Sequence, residues 1–315
     1  MISDVLADLH YIGDTQCFPL YYYEEKTGQI TLSEMMEGDD ARYIRRDGVS
    51  DWILDEARRK YVGAISTSPV SSGNTEISHT SQSEIDTAIS KEDIFYYVYG
   101  FLHCPEYRKA FANDLKKMLP RIPLVDDLND FWAFSRAGRE LANLHLNYES
   151  VERHPDVIEN TDWIASSQAP RNECCRTVAC NSQFHQNDND NGSCTQRPHN
   201  DNDYKVTKMR FGKNGKEEDK TKIIYNSSIS LENIPLVAYE YVVNGKSAID
   251  WIIERYQVKT DKDSGITNDP NDWCEETGNP RYIIDLLHSV INLSVKTVEI
   301  VNGLPKIKFD SPSCV

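Results

Sequence analysis

Six soft ligands, Cys174, Cys175, Cys180, His185, Cys194 and His199, lie within 26 residues of one another. Thiolates and imidazoles in such number could hold a structural zinc. Their spacings match no C-x-x-C knuckle, and the Asn/Asp-rich surroundings favour an insertion without a metal. Cys17, Cys104, Cys274 and Cys314 are scattered and read as buried or incidental thiols. Carboxylates cluster at Asp126-Asp127 and Glu217-Glu218-Asp219, but no nearby histidine or metal cluster would make them an acid–base pair. A third group is basic. Residues 204–216 hold Lys205, Lys208, Arg210, Lys213 and Lys216 and no acid, with Lys220 and Lys222 on an expected return strand. A two-stranded ribbon of that size fits the major groove of DNA, where Lys and Arg read guanine edges or hold phosphates. An ordinary solvated hairpin is the alternative, because three acids follow at once.

Signatures of catalysis are missing from the sequence. It has no G-x-x-x-x-G-K-[ST] phosphate loop, no G-x-G-x-x-G after a strand, no G-x-S-x-G elbow and no H-E-x-x-H. Asn279-Pro280-Arg281-Tyr282 approaches the Asn-Pro-Pro-Tyr loop with which amino-methyltransferases hold a flipped adenine. Arginine replaces the second proline, however, and the tetrapeptide opens a helix with no cofactor site before it. The helix-cap reading is preferred. No catalytic residue, metal ligand or cofactor is assigned to the chain.

The elements that must carry the basic run follow from composition and periodicity. At 315 residues the chain is long enough for about two domains. Its net charge of −16 excludes a generic nucleic-acid coat but not one local basic element. The pI near 4.9 and mean hydropathy of −0.58 suit a globular chain with polar insertions. No apolar run approaches the ~18 residues that span a bilayer, and the amino terminus does not read as a signal peptide. The expected location is the reduced cytoplasm.

Two stretches cannot bury enough apolar surface to order themselves. Residues 63–90 hold eight Ser and four Thr, and residues 181–203 hold six Asn, four Asp and three Gln. The expected division is a strand-rich segment (1–62), a polar insertion (63–90), a helical part (91–166), a second insertion (167–203) and an α/β part (204–315). The fold class is mixed α/β (α+β). Ser90 with Asp93 forms a capping box, and Ile94, Val98, Phe101 and Leu102 follow helical spacing. Pro105 restarts the helix, and Tyr107, Phe111, Leu115 and Met118 continue one apolar stripe to Pro120 and Pro123. Another helix is expected over 128–146. Beyond 203, strands are expected at Tyr204–Phe211, Thr221–Tyr225 and across Val237, Tyr239, Tyr241 and Val243, with a turn at 212–215. A helix carrying Ile249, Ile252 and Ile253 follows. Asn279 then caps a long helix burying Ile283, Leu287 and Val290, and a terminal hairpin turns at Asn302-Gly303.

Several segments together resemble the C-terminal specificity region of type ISP restriction–modification enzymes. They are Asp8–Pro19 with Tyr21-Tyr22-Tyr23, then Lys91–Arg108 ending at Leu119-Pro120-Arg121-Ile122-Pro123. Phe131-Trp132 through Gly138-Arg139-Glu140-Leu141-Ala142 with Leu144-His145 also fits, as do Lys205–Lys213 and Tyr239–Ser247. The blocks span nearly the whole chain outside the two polar stretches. Stretches 63–90 and 174–203 depart from the family by being longer and more polar.

The resemblance implies a target-recognition domain with a central helical part and a C-terminal strand/helix part. A complete enzyme of this kind carries a nuclease, a helicase-like ATPase and an adenine-N6 methyltransferase ahead of it. S-adenosylmethionine, ATP and Mg are then expected only in those other portions, and the chain is not an enzyme by itself. Its expected partners are double-stranded DNA and the methyltransferase/helicase/nuclease portion, with no membrane. The expected contacts are Lys205, Lys208, Arg210, Lys213, Lys216, Lys220 and Lys222. Arg121 and Lys246 lie at element ends within family-like segments and are added to them as phosphate contacts, a helix-end charge or cap being the alternative for both. A protein–protein interaction module, or an inactive remnant without DNA binding, is the rival reading.

Overall fold

The computed structural model of the chain describes residues 17–26, 43–65, 89–161 and 201–309. An antiparallel ribbon of β1 (Tyr21–Glu25) and β2 (Tyr43–Asp47) leads into helix α1 (Asp51–Ile65), followed by α2 (Lys91–Phe101), α3 (Pro105–Ala110) and α4 (Leu128–Leu146). These belong to one of two compact units, Met1–Tyr148 with Lys296–Val315; the other is Glu149–Val295. The fold class is mixed α/β.

In the first unit, Ser90 opens α2 with the expected capping box: its hydroxyl accepts from the Asp93 N–H, and the Asp93 carboxylate accepts from the Ser90 N–H. Helices α2 and α4 cross at glycine. A Cβ built on Gly138 would lie 1.8 Å from the Tyr96 carbonyl oxygen, and one on Gly100 would lie 2.2 Å from that of Phe134. That approach brings Tyr97 and Phe131 into a stack with ring centroids 4.9 Å apart, beside buried Phe101 and Phe134. Each fully buried ring adds roughly 1.5–3 kcal/mol of burial free energy. Helix α1, which periodicity did not single out, buries Ala57 and Tyr61 here and donates the Tyr61 hydroxyl to the Val125 carbonyl.

Pro105 stands in the first turn of α3, as expected. Tyr107 is buried, and Phe111 and Leu115 pack against the core. Met118 does not continue this stripe, being 53% exposed. Helix α3 ends at Ala110, and the turns that follow rotate Met118 outward.

In the second unit, β3 (Ile158–Thr161), β4 (Arg210–Asn214), β5 (Glu217–Ile224) and β6 (Ile229–Glu232) form an antiparallel sheet of order β3-β6-β5-β4. A 3-10 turn at Leu236–Glu240, short strands β7 (Val242–Val243) and β8 (Lys246–Ser247), and helix α5 (Ala248–Arg255) follow. Then come β9 (Lys259–Thr260), β10 (Thr267–Asn268), α6 (Asn271–Glu276) and α7 (Tyr282–Asn302). The core joins Met209, Ile223, Tyr225 and Leu231 to Ile283, Leu287 and Ile291 of α7.

Several expectations are corrected. Tyr204–Phe211 is not one strand: a 3-10 turn ends at Tyr204, and β4 starts at Arg210. Between them the Asn271 side chain, remote in sequence, bonds both the N–H (2.9 Å) and the C=O (2.8 Å) of Val206, replacing a neighbouring strand. The turn centres on Gly215-Lys216 rather than 212–215, with Gly215 at φ 66°. The alternating run Val237–Val243 is mostly the 3-10 turn, which buries Ala238. Asn302-Gly303 makes no hairpin. Apolar spacing carries α7 through Asn302, and the Gly303 N–H bonds back to the Glu299 and Ile300 carbonyls as a helix stop. Val301, Leu304, Ile307 and Phe309 then pack into the first unit's core.

The long helix is there and buries Ile283, Leu287 and Val290, but it starts at Tyr282, so Asn279 and Pro280 precede it; the Asn279 side-chain oxygen accepts from the Arg281 N–H at 3.2 Å in the turn that leads in. Most of the two polar stretches and all of Cys174–His199 lie outside the described residues, as do Asp8–Gln16 and Cys314.

Candidate nucleic-acid interface

The β4–β5 ribbon is built from a regular end and an irregular one. Toward the turn, Gly212, Lys213 and Asn214 pair with Asp219, Glu218 and Glu217, whereas Phe211 pairs with Ile223. Lys220, Thr221 and Lys222 are therefore extra residues on β5, a bulge that re-aims their side chains. Two long-range bonds hold it: the Tyr239 hydroxyl donates to the Lys220 carbonyl (2.7 Å) and the Ile234 N–H to that of Thr221 (3.0 Å). Gly212 makes room for it, since a Cβ there would lie 2.9 Å from the Lys222 Cβ.

The cations singled out from the sequence divide by environment. Lys208, Arg210, Lys213 and Lys216 are exposed and make no ion pair or side-chain hydrogen bond among the described residues. A free exposed cation can exchange counterions for phosphates without breaking a protein contact. Lys220 sits over an aromatic pair, 5.1 Å from the Tyr239 centroid and 5.7 Å from that of Phe211. Lys205 is ion-paired to Glu275 at 2.8 Å, and the hydrogen bond to that carboxylate raises its pKa. Lys222 pairs with Glu232 at 2.5 Å. Lys246 pairs with Glu254 and lies 5.2 Å from the centroid of Trp251. Arg121 is exposed and belongs to the first unit; the Tyr107 hydroxyl donates to its carbonyl at 3.0 Å.

The second unit also holds an internal ion network. Glu159 accepts from both guanidinium nitrogens of Arg281 (3.1 and 2.9 Å) and from Arg153 at 3.2 Å, with His288 Nε2 3.3 Å away. Burial pushes the Glu159 pKa up, but the bonds from His288 and Arg281 and the two guanidinium charges outweigh it and bring it to about 2. Arg281, of the Asn-Pro-Arg-Tyr tetrapeptide, is thus engaged in a structural network. Among the described residues no group of three or more His, Cys, Asp or Glu could hold a metal ion, and no helix is long and apolar enough to cross a membrane.

The class these features define is a mixed α/β recognition module presenting a cationic strand turn. A family model for the Type ISP C-terminal specificity domain matches residues 1–286, and the chain belongs to that family. Among solved structures it is similar to the ATP-dependent Type ISP restriction-modification enzyme LlaBIII bound to DNA. Identity there is 30% over 98% of this chain and 15% of that one, with a TM-score of 0.64. A nuclease-deletion mutant of the Type ISP enzyme LlaGI in complex with a DNA substrate mimic gives 41% identity over 70% of this chain and 14% of that one, at a TM-score of 0.52. A DrdV–DNA complex gives 25% identity over 98% and 23%, at 0.62. The chain thus spans between 14% and 23% of the length of these three solved chains. No curated relative matches it.

Sequence reasoning found the free cations of the ribbon but passed over Arg108, Lys109, Lys116 and Lys117. The adjacent lysines were visible in the sequence, but the apolar stripe beside them drew the segment into the core.

Proposed function

We propose that this chain recognises the DNA target of a Type ISP restriction–modification enzyme. It reads a short asymmetric sequence and holds the duplex in register while other portions act on it. The observation that carries this is the run of four cations, Lys208, Arg210, Lys213 and Lys216, unpaired among the described residues, around the β4–β5 turn of a specificity domain. The relatives solved with DNA, LlaBIII and DrdV, support the same partner. Phosphate contacts of this kind fix orientation, and base-edge contacts beside them supply sequence. Arg121 contributes from the first unit. Lys220, Lys205, Lys222 and Lys246 must first leave a ring or a carboxylate, and serve as secondary contacts.

The chemistry lies elsewhere in such an enzyme: the adenine-N6 methyltransferase that flips its base out of the stack, the ATPase and the nuclease. S-adenosylmethionine, ATP and Mg belong to those portions, and the chain works in the cytoplasm without catalysing a reaction itself. Equilibrium binding of duplex DNA to the 315-residue chain at stepped salt tests the reading. The variant K208Q/R210Q/K213Q/K216Q is expected to flatten the log–log salt slope by about 3 to 4, from ~0.9 per phosphate contact. Absence of salt-dependent binding by the unsubstituted chain, also with the methyltransferase portion supplied, overturns it in favour of a protein–protein module.

A further inference from the structure

The first unit carries a second cationic surface that the ribbon does not explain. Between Pro105 and Arg121 the chain places Arg108, Lys109, Lys116, Lys117 and Arg121 against only two acids, Glu106 and Asp114. All five cations are exposed, and none makes an ion pair or side-chain hydrogen bond among the described residues.

The backbone beneath this surface is held firmly. Phe111 and Leu115 pack into the core. The Leu115 and Met118 N–H groups bond the Phe111 and Asp114 carbonyls at 2.9 and 3.0 Å. On the far side the Tyr107 hydroxyl donates to the Arg121 carbonyl (3.0 Å), and that of Tyr97 to the Pro123 carbonyl (2.6 Å). Between these anchors Met118 and Leu119 stand 53% and 52% exposed, ahead of exposed Pro120. An apolar pair flanked by Lys-Lys on one side and Pro-Arg on the other has the composition of side chains that press between base steps while neighbouring cations hold the backbone.

We propose that residues 108–121 form a second DNA-contacting surface, in which Lys116, Lys117 and Arg121 hold phosphates and Met118 with Leu119 forms an apolar wedge that distorts the duplex. The partner is double-stranded DNA rather than a protein face because the segment offers unpaired cations on an anchored backbone, which complement a polyanion. This rests on the DNA-recognition reading above.

Two variants of the 315-residue chain test it with duplex DNA labelled at both ends. K116Q/K117Q/R121Q, with the β4–β5 ribbon untouched, is expected to flatten the salt slope by about 2 to 3. M118A/L119A is expected to keep that slope while losing the change in end-to-end energy transfer that accompanies binding. All these side chains are exposed, so unchanged thermal melting establishes that the variants are folded. Binding by the parent chain with no effect of the charge variant overturns the second surface and leaves the ribbon reading standing. A slope lost with the charge variant but energy transfer unchanged by M118A/L119A overturns the wedge. Absence of DNA binding by the parent chain overturns both readings together.

Discussion

Glu159 is the residue on which the second unit's ion network turns, and its protonation has a calculable sign. Its folded pKa of about 2 lies below the ordinary 4.5, so its stabilising contribution is fully present above pH 4.5 and is lost as pH falls toward 2. Replacing it leaves half-buried Arg281 and neighbouring Arg153 to share the Asp285 carboxylate as counter-charge. E159Q is expected to cost about 2 kcal/mol at neutral pH and to flatten the acid limb of a melting-temperature profile; an unchanged profile contradicts this. His145 sends a similar signal from the first unit. Its Nδ1 meets the Tyr99 hydroxyl at 2.7 Å, its Nε2 meets the Thr297 hydroxyl at 3.1 Å, and burial followed by the charge of His103 lowers its pKa to about 4. The unfolded chain takes up a proton near pH 6.5 that the folded one refuses, so stability is complete above 6.5 and declines toward 4 by about 1–3 kcal/mol. H145Q is expected to lessen that decline in thermal melts, and superimposable pH curves contradict it. Neither network was legible in the sequence, because Glu159 meets Arg281 and His145 meets Thr297 only through the fold.

Among the elements, those specified by neighbouring residues were legible and those specified by remote partners were not. Ser90 with Asp93 marked a helix start correctly, apolar spacing marked Leu128–Leu146, and Asn279 with Pro280 fell just ahead of the start at Tyr282. Val237–Val243 has strand-like alternation, yet it coils because Ala238 is buried and the Tyr239 hydroxyl reaches the bulge on β5. Tyr239→Phe removes that bond and is expected to destabilise the protein by about 1 kcal/mol. If the bulge positions Lys220–Lys222, DNA affinity falls more than this small stability loss explains; equal affinity at full folding contradicts that role. The α2–α4 crossing gives a sharper test. The Cβ of Gly138→Ala would lie 1.8 Å from a backbone oxygen, so the helices must part, at an expected cost of at least about 3 kcal/mol. A denaturation midpoint close to that of the parent chain contradicts the crossing.

For the whole molecule, the charge of −16 conceals a division of labour. Acids are spread along both units, while free cations gather at Lys208–Lys216 and at Arg108–Arg121. The first gathering was legible because no acid interrupts it. The second was not, because Met118 shares the apolar spacing of Tyr107, Phe111 and Leu115, and only the turns after Ala110 face it outward. Under the proposed function, a chain so acidic is expected to bind DNA through limited patches and weakly by itself. Selection from a pool of randomised duplexes tests the central claim most directly. The 315-residue chain at low salt is expected to enrich one short asymmetric motif, and K208Q/R210Q/K213Q/K216Q to retain far less DNA. Retained duplexes that share no motif, or none retained at all, contradict target recognition by this chain.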